Sequence, residues 1–345
     1  MFAQVLHRWG GTLSYEEVPV PVLAPGEALV RVEACGVGLT VLNYMRGDLR
    51  QPGPGLPRIP GHEIVGRVEA LGDGTTGLDP GDRVMAYFYL TCGHCDFCRL
   101  AHEPLCRNFG GYVGVNRDGG YAEYVSLPVA NWLPVPKEIP AVEATAIPDA
   151  IATPYHVCRR AGIGTGDLVM VVGAGGGVGI HMVQMVRAFG GEAVGVDLGE
   201  AKLQAIRAAG AMAAVDFRAG DRLDRIRAVA PAGVTAAIDF VGSPETLAFC
   251  LEALGRRGRL VLLTTFPGVE FPVSPRQMVF DELTVLGSRY TSRWELMQAA
   301  RLVARGAIRP VVSEVVPLAA VETLHNKLHE GTLIGRGAVR CQPPL

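Results

Sequence analysis

The chain has 345 residues, too many for one ordinary hydrophobic core, and its length argues for two domains. Nearly half of the residues are apolar (49%) and 19% are charged, the composition of a packed globule rather than of a disordered or fibrous chain. A formal net charge of −2 excludes the basic balance on which binding to nucleic acid or to an anionic membrane surface draws. Neither nucleic acid nor a membrane is therefore an expected partner. The opening MFAQVLHRWGG lacks an apolar signal region, so a cytoplasmic location is expected.

From residue 1 to about 150 the chain consists of short β-rich runs punctuated by Gly and Pro. ALVRVEACGV, HEIVGRVEAL, DRVMAYF and YAEYVSL each join β-branched or aromatic residues to turn signals, and together they predict a compact β-barrel. After Val142 the texture changes. GDLVMVVGAGG predicts a buried strand and a glycine turn, VGIHMVQMVRAFG a helix, EAVGVD a strand and EAKLQAIRAAG a helix. AAVDF, TAAIDFVG, RGRLVLLTT and LTVLGS continue as apolar strands. Such alternation means a parallel sheet covered on both faces, an α/β architecture. The apolar window Leu168–Val186 reads as strand, turn and helix, not as a membrane span, because glycines interrupt it and His181 and Gln184 follow. A helix in SRWELMQAARLVARG, a strand in IRPVVSEVVPL and a helix from Ala319 to Leu328 close the chain. The expected organisation is a β-barrel domain over 1–152, a parallel-sheet domain over 153–288 and a return to the first domain over 289–345.

One excursion of the first domain, residues 89–106, holds four cysteines: Cys92, Cys95, Cys98 and Cys106. Two residues separate each of the first three and seven precede the fourth. This spacing lets one loop wrap a tetrahedral Zn²⁺ with four thiolates and no open position, which makes the site structural. Reduced thiols or a disulfide cluster are the alternatives, and scattered Cys35, Cys158, Cys250 and Cys341 do not suggest a disulfide framework.

Gly173, Gly176 and Gly179, with Gly177 and Val178 between them, lie where the first parallel strand turns into its helix. Glycine there lets backbone and helix N-terminus approach a pyrophosphate. Asp197 ends the next strand 18 residues after Gly179, placed to accept hydrogen bonds from both hydroxyls of an adenosine ribose. Its carboxylate favours NAD(H) over NADP(H), whose extra phosphate it repels.

Taken together, GHEIVGRV (61–68), PGDRV (80–84), the four-cysteine lobe, GGYAEYV (119–125), the glycine turn and GRGAV (335–339) resemble the medium-chain dehydrogenase/reductase superfamily, in its zinc-type alcohol dehydrogenase branch. The resemblance implies that 1–152 with 289–345 is a co-chaperonin-like (GroES-like) β-barrel catalytic domain and 153–288 a Rossmann domain, with a nicotinamide cofactor and a small-molecule substrate. It also implies that Lys202 helps hold the ribose, Thr153 approaches the nicotinamide and Arg336 meets the pyrophosphate. It implies a homodimer or homotetramer built through the edge of the cofactor sheet, for which RRGRLVLLTTF offers an apolar strand and SRYTSR an edge.

The chain departs from that family at the catalytic metal. The family's ligands are a cysteine in a segment like ACGVCHTD, the His of GHE, and a Cys or acid in a segment like LCAGVT. Here ACGVGLTV places Gly38 at the cysteine, His62 and Glu63 are kept, and the third position falls on Asp149. With no thiolate, a tight catalytic zinc is expected to be absent, leaving one structural zinc per subunit. Thr40 matches the family's proton-handing hydroxyl and Asn43 stands where a His often ends that relay, although such residues also cap turns. The turn GAGGGVG matches the GASGGVG type of quinone and acryloyl-CoA reductases. The expected function is NAD(H)-dependent hydride transfer to a carbonyl or activated C=C, with Thr40, Asn43, His62, Glu63 and Asp149 as catalytic candidates. The alternatives are a zinc-dependent alcohol or ketone dehydrogenase, with metal on His62, Asp149 and Glu63 or Cys35, and a non-catalytic NAD(H)-binding protein.

Overall fold

The computed structural model describes residues 1–48, 55–264 and 268–342. The chain divides into two units: one of Met1–Asp149, Thr291–Arg305 and Pro310–Leu345, the other of Ala150–Tyr290 and Gly306–Arg309.

The first unit is built on a seven-stranded sheet. Its spine is Glu27–Val37, flanked by Glu63–Leu71 on one side and Arg336–Arg340 on the other, both antiparallel to it. Val312–Pro317 extends the sheet beyond Arg336–Arg340. Arg83–Ala86 and Trp132–Pro134 extend it the other way, and Tyr124–Pro128 also pairs with the spine. Burial along the spine alternates from Glu27 to Glu33 and is continuous from Ala34 to Val37, so the strand passes from a half-wet face into a fully covered end. That covered end is where the charged cluster described below is built. DRVMAYF is shorter as a strand than its composition suggests, ending at Ala86.

The second unit is a six-stranded, all-parallel sheet in the order Ala213–Asp216, Glu192–Asp197, Leu168–Val172, Val234–Asp239, Leu254–Leu262, Thr284–Gly287. The order reverses between Leu168–Val172 and Val234–Asp239, and a doubly wound sheet binds ligands at the carboxyl ends of strands beside such a reversal. Met170, Val172, Val194, Val196, Val215, Ile226 and Leu260 form one face of its core. Parallel strands covered on both faces cannot alternate with polar residues, which explains the unbroken apolar runs.

Two expectations change. Within RRGRLVLLTTF, residues 256–262 lie inside the sheet in the strand Leu254–Leu262, the last two residues of that run fall outside the described residues, and the terminal strand is Thr284–Gly287. SRYTSR supplies no strand over 288–292 and instead delivers Ser292, whose capping box with Glu295 starts the helix Arg293–Ala304. The last helix is Val321–His329, entered through a 3₁₀ turn at Leu318–Ala320. No helix among the described residues is long and apolar enough to cross a membrane. Leu168–Val186 is a strand, a turn and the helix Gly179–Ala188.

Candidate functional site

In the first unit, strands Tyr89–Leu90 and Gly111–Tyr112 pair antiparallel and close the base of the cysteine lobe. The rings of Tyr89, Phe109 and Tyr112 pack there with centroids 4.9–5.2 Å apart. The sulfurs are separated by 4.0 Å (Cys92–Cys98), 3.5 Å (Cys95–Cys98), 3.9 Å (Cys95–Cys106) and 3.5 Å (Cys92–Cys106). Zn–S bonds of about 2.3 Å in a tetrahedron put sulfurs about 3.8 Å apart, so the four residues fit zinc. They form no disulfide. The backbone N–H of His94 holds the Cys92 thiol down at about 6. Desolvation, with the Cys95 and Cys106 sulfurs, pushes Cys98 up to about 12. A divalent ion removes that conflict by deprotonating all four.

In the second unit, Gly173 takes φ +78°, and a Cβ on Gly179 would stand 2.1 Å from the Gly173 carbonyl oxygen. Only glycine allows this close a turn. Val178 precedes the first turn of Gly179–Ala188, and buried His181 is hydrogen-bonded through Nδ1 to the Gly177 carbonyl at 2.7 Å. Asp197 accepts from the N–H of Gly175 (2.7 Å) and of Leu198 (2.8 Å), and Lys202 Nζ lies 3.3 Å from its Oδ1. Turn, helix start and carboxylate fit a dinucleotide's pyrophosphate and ribose. Thr153 is buried in the helix Ala152–Ala161 of the same unit.

The first unit also gathers His62, Glu63, Asp149 and Arg336, which the sequence separates widely. Glu63 begins its strand opposite Gly36, and a Cβ on Gly36 would collide with the Glu63 carboxylate at 2.3 Å. Arg336 begins the strand on the other flank, and its guanidinium lies against Gly38, just past the end of the spine. There a Cβ would meet Nη1 at 2.7 Å, Cζ at 2.8 Å and Nη2 at 2.9 Å. Gly36 and Gly38 lie on one face, two residues apart, and form the floor on which the charges meet. Asp149 comes from the π-helical turn Ile147–Ile151, a geometry often found at functional sites.

Arg336 donates from Nε to Glu63 Oε2 (3.0 Å), and from Nη2 to Glu63 Oε1 and to Asp149 Oδ2 (2.8 Å). Burial pushes the Glu63 carboxyl up, against the pull of Arg336. At Arg336 burial opposes the charge, but the two carboxylates outweigh it and raise its pKa. His62 Nε2 lies 3.8 Å from both Glu63 Oε1 and Asp149 Oδ2 and is buried without a hydrogen-bond partner among the described residues. The His62 ring packs on Phe88 at 4.4 Å.

The donor atoms of His62, Glu63 and Asp149 lie within 4.8 Å of one another, which at first suggests a metal site. The charge balance argues otherwise. The two oxygens facing His62 are those that Arg336 Nη2 holds, so a divalent ion there would confront a guanidinium at bonding distance. The residues do not fit a catalytic zinc while Arg336 keeps this position.

The comparisons agree with the two-part architecture. The alcohol dehydrogenase GroES-like domain family matches residues 24–137, and the zinc-binding dehydrogenase family matches residues 177–305. An alcohol dehydrogenase of Geobacillus stearothermophilus is 34% identical over 97% of this chain and 98% of its own length. The chain belongs to the medium-chain dehydrogenase/reductase superfamily. It falls in the zinc-type alcohol dehydrogenase branch and is an oxidoreductase. An acryloyl-coenzyme A reductase of Sulfurisphaera tokodaii is 29% identical over 94% of this chain and 95% of that protein. The solved alcohol dehydrogenase of Aeropyrum pernix superposes with a TM-score of 0.90 at 30% identity, over 99% of this chain and all of that one.

The structure brings His62, Glu63 and Asp149 together. Thr40 is half-buried in the first turn of Leu39–Arg46, and Asn43, on the same helix, accepts a hydrogen bond from Arg46 on the exposed side. Arg336, expected at a pyrophosphate, is buried against Glu63 and Asp149. The sequence reading missed this placement, along with the contact of Phe88 and the role of Gly36. The paired glycines of ACGVG were the available signal.

Proposed function

We propose that this dehydrogenase moves a hydride between NAD(H) and a carbonyl or activated C=C substrate without a catalytic zinc, its one zinc being held by Cys92, Cys95, Cys98 and Cys106. The observation that carries the reading is the buried His62 Nε2, unpartnered among the described residues and facing two carboxylates that Arg336 already holds. An imidazole N–H so placed is a hydrogen-bond donor in search of an oxygen. Nicotinamide, when bound, supplies or takes the hydride. The chain's part is to manage charge on the substrate oxygen. In a conjugated carbonyl compound, hydride addition at the β-carbon sends the electron pair to oxygen as an enolate, which then takes a proton at the α-carbon. A hydrogen bond from His62 stabilises that oxygen and Thr40 orients it; where a carbonyl itself is reduced, the proton goes to oxygen and Thr40 carries it. An isolated alcohol, whose oxidation relies on a Lewis acid, is a poor substrate in this scheme.

Asp197, held by Gly175 and Leu198, supports a preference for NAD(H) over NADP(H), and NAD-dependent relatives agree with it. For the assembly we read a homodimer or homotetramer through the terminal strand Thr284–Gly287. A zinc-dependent alcohol or ketone dehydrogenase is the second reading, favoured by the short span of the His62, Glu63 and Asp149 donors.

A panel of alcohols, ketones, enones and enoyl thioesters, run with NADH or NAD⁺ and with or without a chelator, separates the two. Reduction of an enone or enoyl thioester that survives chelation and falls in Thr40→Ala supports the metal-free reading. Alcohol oxidation that chelation abolishes overturns it.

A further inference from the structure

We infer that Arg336 is the resident cation of this cluster in place of a divalent metal, and that Gly38 is the space that admits it. The inference rests on the metal-free reading of the same site and adds which residue enforces it. Arg336 Nη2 binds Glu63 Oε1 and Asp149 Oδ2, the two oxygens 3.8 Å from His62 Nε2 and therefore the atoms a metal would need. Both carboxylates are thus held by one planar, delocalised cation, whose fork suits the bidentate grip on Glu63.

Space makes the arrangement exclusive. Any side chain at position 38 would place its Cβ 2.7–2.9 Å from Nη1, Cζ and Nη2, closer than real contacts allow. The guanidinium is the far end of a flexible side chain and yields before the backbone does. A thiolate at 38 and the arginine in its present seat are therefore alternatives, and loss of the former and docking of the latter are one change. Charge makes it exclusive again, because a divalent ion added beside Arg336 would bring three positive charges to two carboxylates. Removing the arginine leaves one buried and one half-buried carboxylate and a buried imidazole with donor atoms within 4.8 Å of one another, a set that attracts a divalent cation.

Arg336 is on this account a positioning residue, and metal stoichiometry is a readout that a merely structural role leaves unmoved. Unmodified protein, Arg336→Met, Arg336→Lys and the double variant Arg336→Met/Asp149→Asn are dialysed against zinc, stripped of loose metal and measured for zinc per subunit. The expected values are one, two, one and one, with zinc raising the melting temperature of Arg336→Met alone. Where Arg336→Met does not fold, Gly38→Cys serves: it displaces the guanidinium and supplies a thiolate, so it must also rise to two. A folded Arg336→Met or Gly38→Cys protein that stays at one zinc overturns the assignment, as does a double variant that stays at two. Two zinc ions in the unmodified protein contradict this inference and the metal-free reading together. The expected counts without hydride transfer to any carbonyl or enone would remove the functional reading and leave the arginine assignment standing.

Discussion

The cysteine lobe and the arginine cluster handle one electrostatic problem, several anionic or polar donors converging on a point, in opposite ways. In the lobe four thiols lie 3.5–4.0 Å apart, the spacing of a tetrahedral zinc site, with Cys98 pushed up to about 12. In the cluster the donors are two carboxylates and an imidazole, and a side chain of the chain itself supplies the cation. The difference lies in the donors. Thiolates at tetrahedral spacing suit zinc and offer no planar edge to a guanidinium, whereas carboxylates bind arginine bidentately and need no ion. On the proposed reading, one fold keeps a metal in the lobe and seats an arginine in place of a second, through a glycine that makes room.

The largest expected effect breaks the first half of the comparison. Cys95→Ser should lose the zinc, and because binding energy at a closed site is folding energy, the melting temperature should drop on the order of 10 °C. Zinc content by mass spectrometry and a thermal melt check this. Full zinc and an unchanged melt would mean that the lobe is not a metal site.

The second test sharpens the contrast by titration. His325 is buried, with Tyr121 Oη 3.4 Å from Nε2 and Glu322 3.8 Å from Nδ1, and Tyr121 in turn feels Glu63 and Arg336. Desolvation lowers His325 from 6.5 to about 4. Between these values the unfolded chain holds a proton that the folded chain refuses, so stability is full above pH 6.5 and falls as the pH drops through 4. The loss is at most about 3 kcal/mol. His325→Gln should flatten that part of the melting-temperature profile, while Cys95→Ser should leave its slope in place. Equal slopes in His325→Gln and the unmodified protein would remove this cause.

The smallest effect concerns a carboxylate kept for a ligand. Asp197 is held by two backbone N–H groups and lies 3.3 Å from Lys202, a looser arrangement than the double grip of Arg336 on Glu63. Asp197→Ala should weaken NADH about tenfold, roughly 1.5 kcal/mol, and narrow its advantage over NADPH. Titration of NADH fluorescence measures both, and equal affinities in the unmodified protein would contradict the ribose assignment.

How far each region could be read in advance follows from how locally it is encoded. The four cysteines fall within one short loop, so spacing alone specified their geometry. The glycine turn was legible for the same reason, since strand, turn and helix follow one another. Apolar runs such as LVMVV and AVGVD marked parallel strands, because burial on both faces leaves one pattern. They did not mark position within the sheet: residues 256–262, expected to serve pairing at the sheet edge as an apolar strand, lie in the interior, since an edge strand and an inner strand of such a sheet are equally apolar. The cluster was half legible. His62, Glu63 and Asp149 were found through motifs, but Arg336 is 273 residues from Glu63, and its seat depends on the absence of a side chain at Gly38. An absence carries no motif, and its effect depends on the strands of Glu63 and Arg336 flanking the spine that ends beside Gly38.

The central claim is that this oxidoreductase carries one zinc, in the lobe, and a guanidinium where a second ion would stand. Zinc K-edge absorption on the unmodified protein, with metal and protein quantified in the same sample, tests it most directly. The account predicts one zinc per subunit with a first shell of sulfur alone at about 2.3 Å. Two zinc ions per subunit, or nitrogen and oxygen ligands at about 2.0–2.2 Å in the shell, would contradict it.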